Sequence, residues 1–290
     1  MERSDLCGIV SSLYSLGLLS DKRFLSIMFR LRMGYNIDWG NLRTICEKIQ
    51  WLKLYDRKDE YTAMVDKVSV KDWAEKKIGR EHIIPTLGVW DKPEDIDFSS
   101  LPSRFILKCS HSSGDNYIHA SEDRPAAADI VKMLNEGLGR YNGNYFYHNG
   151  EWPYRNVRKR IIAEELLTDG SGHEVPDYKF WCFRGVPKMI QFDYDRFSGH
   201  NRILYDTDWN VLPVTLRYPA GDADVMKPSG LDEMLEIAGR LSEGILFVRV
   251  DLYNAGGHIY FGEMTFYPEG GFVGFCPDEW NHILGDLIDI

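Results

Sequence analysis

The sequence lacks long apolar runs, paired-cysteine motifs and an excess of positive charge. No apolar run reaches the roughly 20 residues that a helix needs to cross a bilayer, so we expect no transmembrane segment. The five cysteines are scattered and form no C-x-x-C motif, which argues against a disulfide scaffold or a zinc site and favours the reducing cytoplasm. The net charge of −10 argues against a protein that binds the phosphate backbone of nucleic acids.

Signatures of several common functions are also missing from the sequence. There is no G-x-x-x-x-G-K-[ST] phosphate loop. The tripeptide DTD at residues 206–208 is a weak match to a D-x-D motif and is typical of a turn at a strand end, which disfavours a glycosyltransferase. Residues 6–19 are apolar but lack a basic start and a small-x-small cleavage site, so we predict a packed helix rather than a signal peptide.

The hydrophobic periodicity predicts an α+β protein with a helical beginning. Hydrophobic residues make up 44% of the chain, which is typical of a folded protein. Residues 1–80 show helical spacing, residues 81–160 show short strands and a helix, and residues 161–290 show a longer antiparallel sheet with a helix. We therefore predict a helical region followed by two α+β parts whose unequal sheets face each other. The aromatic segment at residues 141–153 is predicted to be a loop.

The segment ILKCSHSSGDN combines a lysine at a strand end with a polar, glycine-containing turn. Lys108 supplies an ammonium group, Ser112 and Ser113 supply hydroxyls, and Gly114 allows close approach to the backbone. Such groups can bind a triphosphate, because successive backbone amides form a site for anions. An ordinary hairpin loop uses the same residues, so both interpretations stay open here.

Two neighbouring segments offer further polar groups at strand positions. The strand end formed by Glu164, Glu165, Leu166 and Leu167 could present its backbone to a flat heterocycle and a carboxylate to a ribose, or could simply carry solvated glutamates. The next strand carries Asp177 and Lys179 on one face, because they are two residues apart. They could form an ion pair, or Lys179 could face a phosphate or a substrate carboxylate.

The strongest signal is a pair of strands, VRVDLY and HIYFGEMT, joined by a glycine-rich turn. Each strand carries a carboxylate, Asp251 or Glu263, and carboxylates on adjacent strands can bind a hard divalent cation. Arg249 lies on the face of Asp251 and could stabilise developing negative charge, and Thr265 adds an oxygen beside Glu263. A buried ion pair between Arg249 and one acid would leave the other acid unexplained, so we favour a metal site.

Several motifs together resemble the ATP-grasp superfamily and, more closely, its TupA-like branch, named for a teichuronopeptide biosynthesis protein. The resemblance covers about residues 40–290 and rests on EKIQWLKLYDR, VDKVSVKDWAEKKIG, LKCSHSSGDN, DYKFWCFRGVPK, YDTDWN and FVRVDLYNAGGHIYFGEMTFYP. It implies two α+β subdomains that hold ATP between them, and we place their division at residues 81–160 and 161–290. The helices of residues 1–80 stand where the superfamily usually has a Rossmann-like acceptor domain.

The resemblance also implies roles for individual residues. Lys67 and Lys108 would bind the α- and β-phosphates. The remaining nucleotide contacts would be the mobile loop at Ser112, Ser113 and Gly114, the adenine hinge at Glu164, Glu165, Leu166 and Leu167, and Asp177 at the ribose. Lys179 would face the γ-phosphate or the acceptor, and Arg249 would stabilise the transition state. Asp251, Glu263 and Thr265 would hold Mg²⁺, with Thr265 at a position where the superfamily usually has Asn.

The chemistry implied by the resemblance is ATP-dependent ligation. ATP would convert a carboxylate to an acylphosphate, and an amine would then displace phosphate. We expect an amino acid to be attached to a carboxylate, such as a uronic acid, in bacterial surface or capsular polysaccharide biosynthesis, near a glycan-assembly complex. The alternatives are a kinase that phosphorylates a sugar or small-molecule hydroxyl, and a non-enzymatic scaffold that has kept the fold.

Overall fold

The N-terminal region is helical, as the sequence predicts. The computed structural model describes residues 3–112, 114, 116–123, 126–140, 144–168, 175–194, 199–221 and 225–290. The helices of this region are α1 (Arg3–Ser15), α2 (Asp21–Met33), α3 (Ile45–Tyr55), α4 (Glu60–Val65) and α5 (Ser69–Ile78). A capping box begins α3, because Thr44 Oγ1 accepts from the Glu47 amide and Glu47 Oε2 accepts from the Thr44 amide. Helix α2 ends at Gly34, whose φ of 87° suits glycine.

The first sheet is small and covered on one face by a helix. Its strands are β1 (Thr86–Trp90), β2 (Arg104–Cys109), β3 (Asn116–Ala120) and β4 (Ile161–Glu165), in the order β1-β4-β2-β3. Phe105 and Leu107 of β2 pack with Ile130 and Leu134 of helix α6 (Ala127–Gly139). Because side chains alternate along a strand, Lys108 points to the opposite face. Strand β4 is hydrogen bonded within this sheet, so a division after residue 160 separates it from its partners.

The second sheet is larger and fully antiparallel. It contains β5 (Asp177–Phe183), β6 (Val186–Tyr194), β7 (Asn201–Tyr205), β9 (Phe247–Ala255) and β10 (His258–Thr265), in the order β10-β9-β5-β6-β7. Strands β8 (Thr215–Leu216) and β11 (Phe275–Cys276) pair separately. Helix α8 (Leu231–Ser242) packs its apolar face on this sheet, and α9 (Glu279–Asp286) packs on α3. The predicted α+β class is confirmed.

The predicted loop at residues 141–153 is partly helical in its described residues. It contains α7 (Phe146–Asn149) and the beginning of a 3₁₀ turn at Trp152–Asn156, and residues 141–143 lie outside the described chain. The local reason is that Phe146 is buried in the core and Gly150 takes a φ of 70°, which ends the helical turn with a bond to the Phe146 carbonyl. No helix in the described ranges is both long and apolar enough to cross a membrane.

Lys53 connects the helical region to the rest of the protein through hydrogen bonds. Its side chain is fully buried, and Nζ donates to Gln50 Oε1 at 3.0 Å, to the Asn149 carbonyl at 2.9 Å and to the Gly270 carbonyl at 2.7 Å. Lys53 Nζ also lies 4.4 Å from the centre of the Phe272 ring. Burial lowers the pKa of Lys53 to about 7, and this one side chain connects α3, α7 and the turn Pro268–Gly271.

We expect Lys53→Met to lower the free energy of unfolding by about 3 kcal/mol, because it leaves three buried oxygens without their hydrogen-bond donor. Lys48→Met is the matched control. Lys48 also donates to two carbonyls, at 3.0 Å and 2.8 Å, but it is only partly buried, so water can replace it. Urea unfolding of both variants tests the difference, and equal losses would show that burial of the Lys53 contacts contributes nothing extra.

Candidate active site

A polar cleft lies between the two sheets. Its inner cavity, of about 150 Å³, is lined by Lys67, Lys71, Lys108 and Glu164 and by Asp177, Lys179, Asp251 and Glu263. An adjoining cavity of about 350 Å³ shares Lys108, Glu164 and Gly114 with it and continues toward an apolar wall. Most of the residues singled out in the sequence therefore meet in one place.

The lysine side of the cleft is organised by a buried carboxylate. Glu164 Oε2 accepts from Lys108 Nζ at 2.6 Å, and its other oxygen contacts Lys71 Nζ. Burial alone would raise the pKa of Glu164, but the two ammonium groups outweigh it and lower that pKa to about 2. Burial likewise lowers the pKa of Lys108, but Glu164 more than compensates and the net pKa is raised. Lys108 is thus held as a cation facing the cleft, whereas at Lys71 burial outweighs Glu164 and lowers the pKa.

Lys71 was not identified from the sequence, although a signal for it was present. The signal is the segment VDKVSVK, in which Lys71 follows Lys67 by four residues. Lys71 lies in the first turn of α5, and Lys67 lies in the turn just before that helix. Lys67 Nζ donates to the Ser112 carbonyl at 2.6 Å, which connects the helical region to the turn after β2. The structure thus brings Lys67, Lys71 and Lys108 to one wall.

The predicted nucleotide contacts occupy different parts of this region. Ser112 is buried, Ser113 lies outside the described residues, and Gly114 has a φ of 86° with open space where a Cβ would stand. Glu164 is buried against lysines, so the interpretation of two solvated glutamates is wrong for it, whereas Glu165 is exposed. Apolar residues that suit a flat ring line the 350 Å³ cavity: Ile84, Ile106, Ile118, Leu166, Leu167 and Val175.

The acidic side of the cleft carries a buried charge network. Asp251 accepts from Arg249 through both oxygens, at 2.7 Å each, and from Lys179 Nζ at 3.0 Å. Lys179 Nζ also donates to Asp177 Oδ2 at 2.8 Å. The ion pair predicted as an alternative for Asp177 and Lys179 therefore exists, and it belongs to a network of two cations and two anions. Buried charges need such pairing, because each one alone would be costly to desolvate.

Glu263 reaches the same face through an irregularity in strand β10. The pairing changes from Phe261 with Leu252 to Glu263 with Asp251, so two residues of β10 oppose one residue of β9. Gly262 is the extra residue, and a Cβ there would lie 3.0 Å from the Asp251 carbonyl oxygen. Without this bulge Glu263 would pair with Val250 and face the other side, because side chains alternate along a strand.

The acids fit the needs of Mg²⁺ held together with phosphates. Such an ion takes one or two protein carboxylates and fills its other positions with water and phosphate oxygens. Glu263 is 41% exposed in its side chain, and its nearest cations are Arg249 at 3.7 Å and Lys67 at 4.0 Å. Burial raises its pKa, but Lys67, Arg249 and Lys179 outweigh burial, so the pKa is lowered and the group is ionised.

Asp251 and Thr265 make more hydrogen bonds to other protein groups than Glu263 does. Asp251 Oδ1 accepts from Arg249 Nε, and a carboxylate oxygen can accept a second partner. Thr265 Oγ1 accepts from Arg249 Nη2 at 3.1 Å and donates to Glu263 Oε1 at 3.4 Å. The described residues contain no group of three or more His, Cys, Asp or Glu able to hold a metal alone, so a cation here would depend on ligand oxygens.

A further pocket, here named the distal pocket, opens beyond the acids and was not predicted from the sequence. It has a volume of about 420 Å³ and shares Lys179 and Glu263 with the inner cavity. Its other lining residues include Arg32 of α2, Arg202, Arg217 and Glu269. These residues come from distant segments, so no local pattern could have joined them.

Lysines thus line one wall of the cleft between the two sheets, and carboxylates line the other. By the family-level comparison, the chain belongs to the TupA-like ATP-grasp family, which matches residues 47–289. The resemblance and the fold expected from the sequence are thereby confirmed. No curated protein sequence gives a significant match.

Several solved structures are distantly similar to this protein. The ATP-grasp ligase PsnB, solved with a phosphomimetic variant of its minimal precursor, Mg and ADP, is 12% identical, with a TM-score of 0.42 over 71% of this chain and 51% of PsnB. D-alanine–D-alanine ligase from Helicobacter pylori is 13% identical, with a TM-score of 0.41 over 72% of this chain and 53% of its own. The chain thus spans about half of each of these structures.

Proposed function

We propose that the protein is an ATP-dependent ligase that activates a carboxylate and joins it to an amine. The observation that carries this proposal is that Lys67, Lys71 and Lys108 face Asp251 and Glu263 across one cleft. Cations on one wall suit a triphosphate, and the acids on the other wall suit the Mg²⁺ that accompanies it. The adjoining apolar cavity suits the base.

The residues at the acidic end suggest how the γ-phosphoryl group would be transferred. Lys67 and Lys108 would hold the α- and β-phosphates, while Lys179 would lie near the γ-phosphate or the acceptor. Bound Mg²⁺, held by Asp251 and Glu263 with Thr265 beside them, would offset negative charge on the phosphates. Arg249, fixed by two bonds to Asp251, would stabilise charge that develops during transfer without moving. No protein nucleophile is required.

The family resemblance and the lining of the distal pocket support a proposal for the substrate classes. We propose that an amino acid is attached to a carboxylate such as a uronic acid, in the synthesis of a bacterial surface or capsular polysaccharide. Tyr145, Tyr154 and Tyr218 line the distal pocket, and aromatic side chains commonly pack against the apolar faces of ligands. We further propose that the reaction takes place in the cytoplasm, beside a glycan-assembly complex.

Calorimetry and product analysis together test this function. Titration with ATP in the presence of Mg²⁺ should show binding, and its absence would favour the scaffold interpretation. Incubation with ATP, pooled amino acids and uronic-acid oligosaccharides should then give a product heavier by one amino acid minus water, with release of phosphate. A product heavier by one phosphoryl group, with no phosphate released, would instead identify a kinase.

Lys108→Gln should weaken ATP binding about tenfold, because it removes a charge-assisted bond to a phosphate. Lys77→Gln is the matched control, since Lys77 also pairs with a glutamate, at 3.8 Å, but outside the cleft. Calorimetry in the presence of Mg²⁺ measures both affinities. Equal affinities in the two variants would remove Lys108 from the nucleotide site.

A further inference from the structure

The distal pocket is placed to receive the second reactant. It meets the inner cavity at Lys179 and Glu263, where the terminal phosphate would lie under the proposed function. On its other side it meets an outer cavity of about 760 Å³ along α1 and α2, with which it shares Arg32, His148, Arg217 and Glu269. A substrate held here would have its reacting end at the acids and its other end between two arginines.

The two arginines at the outer end are held in place but still face the cavities. Arg32 Nη1 donates to Asn149 Oδ1 at 2.8 Å, and its guanidinium lies 4.7 Å from the centre of the Phe272 ring. Arg217 Nη1 donates to Glu269 Oε2 at 2.5 Å, while 52% of the Arg217 side chain remains exposed. Guanidinium groups carry five N–H donors, so both retain capacity for a ligand oxygen.

Arg202 differs from these two because it is almost fully buried and makes four hydrogen bonds, one of them to the Leu216 carbonyl at 3.4 Å. It donates to Asp193 at 2.6 Å and 3.1 Å and to Glu269 Oε1 at 3.0 Å, and only 4% of its side chain is exposed. Its role is to position Glu269, whose carboxylate it shares with Arg217. Arg202 therefore supports the site, and Arg217 is the group presented to a ligand.

The backbone is strained at both residues of the ion pair between Arg217 and Glu269. In the described part of the chain, four non-glycine residues have positive φ, and two of them are Arg217 at 65° and Glu269 at 53°. Such conformations are strained and persist where the surrounding structure enforces them, often at binding sites. Here the two strained residues are bonded to each other at the mouth of the distal pocket.

From these observations we infer that the distal pocket is the second-substrate site, and that Arg217, with Arg32, binds a carboxylate of that substrate that does not itself react. This inference rests on the proposed function. The carboxylate could belong to the amine substrate, as the α-carboxylate of an amino acid, or to a neighbouring acidic sugar in the glycan. Both sources share one chemistry, an anion bound by guanidinium groups.

The test is calorimetry on the full chain with Mg²⁺ and the non-hydrolysable analogue AMPPNP. One pair of probes is L-alanine and L-alaninol, and the other is digalacturonate and galacturonate. The wild type should bind the member with the extra carboxylate more tightly in at least one pair. Arg217→Gln should weaken that binding about tenfold, while Arg217→Lys should recover part of the loss. The pair that shows the effect identifies the source of the carboxylate.

Arg184→Gln is a close control for this test. Arg184 is also an exposed arginine with positive φ, at 51°, and it pairs with Asp289 at 3.1 Å, at a turn far from the pocket lining. It should leave all probe affinities unchanged, and AMPPNP affinity should be unchanged in every variant. Equal binding by wild type and Arg217→Gln, or no preference for the extra carboxylate in the millimolar range, would overturn the inference. Failure of AMPPNP to bind the wild type would instead overturn the proposed function.

Discussion

Arg249→Met is expected to lower turnover about 10³-fold or more, because transition-state arginines in phosphoryl transfer contribute effects of that size. It should also cost about 3–5 kcal/mol of stability, since removing one partner of a buried ion pair leaves the other charge uncompensated. Asp251 would keep only Lys179, which it shares with Asp177. Urea unfolding and steady-state kinetics measure the two effects separately.

A double variant separates the structural role of Arg249 from its chemical role. In Arg249→Met/Asp251→Asn the buried charge is also removed, so part of the lost stability should return, as expected for coupled neighbours. Turnover should stay low, because neither the cation nor the carboxylate proposed to bind Mg²⁺ is restored. Recovery of turnover together with stability would mean that Arg249 acts only through folding.

Glu263→Gln should have a large effect on activity with little effect on the fold. We expect turnover to fall about 10²–10³-fold, the size typical of losing one preorganised electrostatic group at a reacting centre. The cost in stability should stay below about 1 kcal/mol, because exposed ion pairs contribute little. Glu263 fits that description, since its side chain is 41% exposed and its nearest ion-pair contact is 3.7 Å.

The dependence on Mg²⁺ gives Glu263→Gln a distinctive readout. If this carboxylate binds the ion, the variant should need a higher Mg²⁺ concentration for half-maximal activity, while ATP binding without Mg²⁺ stays unchanged. Glu243→Gln is a suitable control, because Glu243 has a similarly long ion pair, at 3.8 Å, on the outer surface. An unchanged Mg²⁺ dependence would contradict the role assigned to Glu263.

Local sequence patterns predicted much of the secondary structure. Alternation predicted the strands that became β5, β6, β9 and β10, and 3.6-residue periodicity predicted the helices of the first 80 residues and α8. The helical turn within residues 141–153 was not predicted from the sequence. It depends on burial of Phe146 in the core rather than on any periodic pattern. The sheet that contains β4 was also not predictable, since strand pairing is a long-range contact.

The candidate site likewise has features that follow from local sequence patterns and features that depend on long-range contacts. By itself the sequence determined that Arg249 and Asp251 share a face, because side chains two residues apart on a strand point to the same side. Only the tertiary structure decided that Glu263 joins Asp251, since a single extra residue, Gly262, shifts the strand pairing by one.

The distal pocket depended on tertiary structure altogether. Arg32 belongs to the helical region, and Arg217 and Glu269 come from separate late segments that meet only after the chain has folded. Periodic patterns describe neighbours within a helix or strand, whereas contacts between distant segments are decided by packing and by pairing of buried charges. That is the physical reason why the polar cleft could be anticipated from motifs while the distal pocket could not.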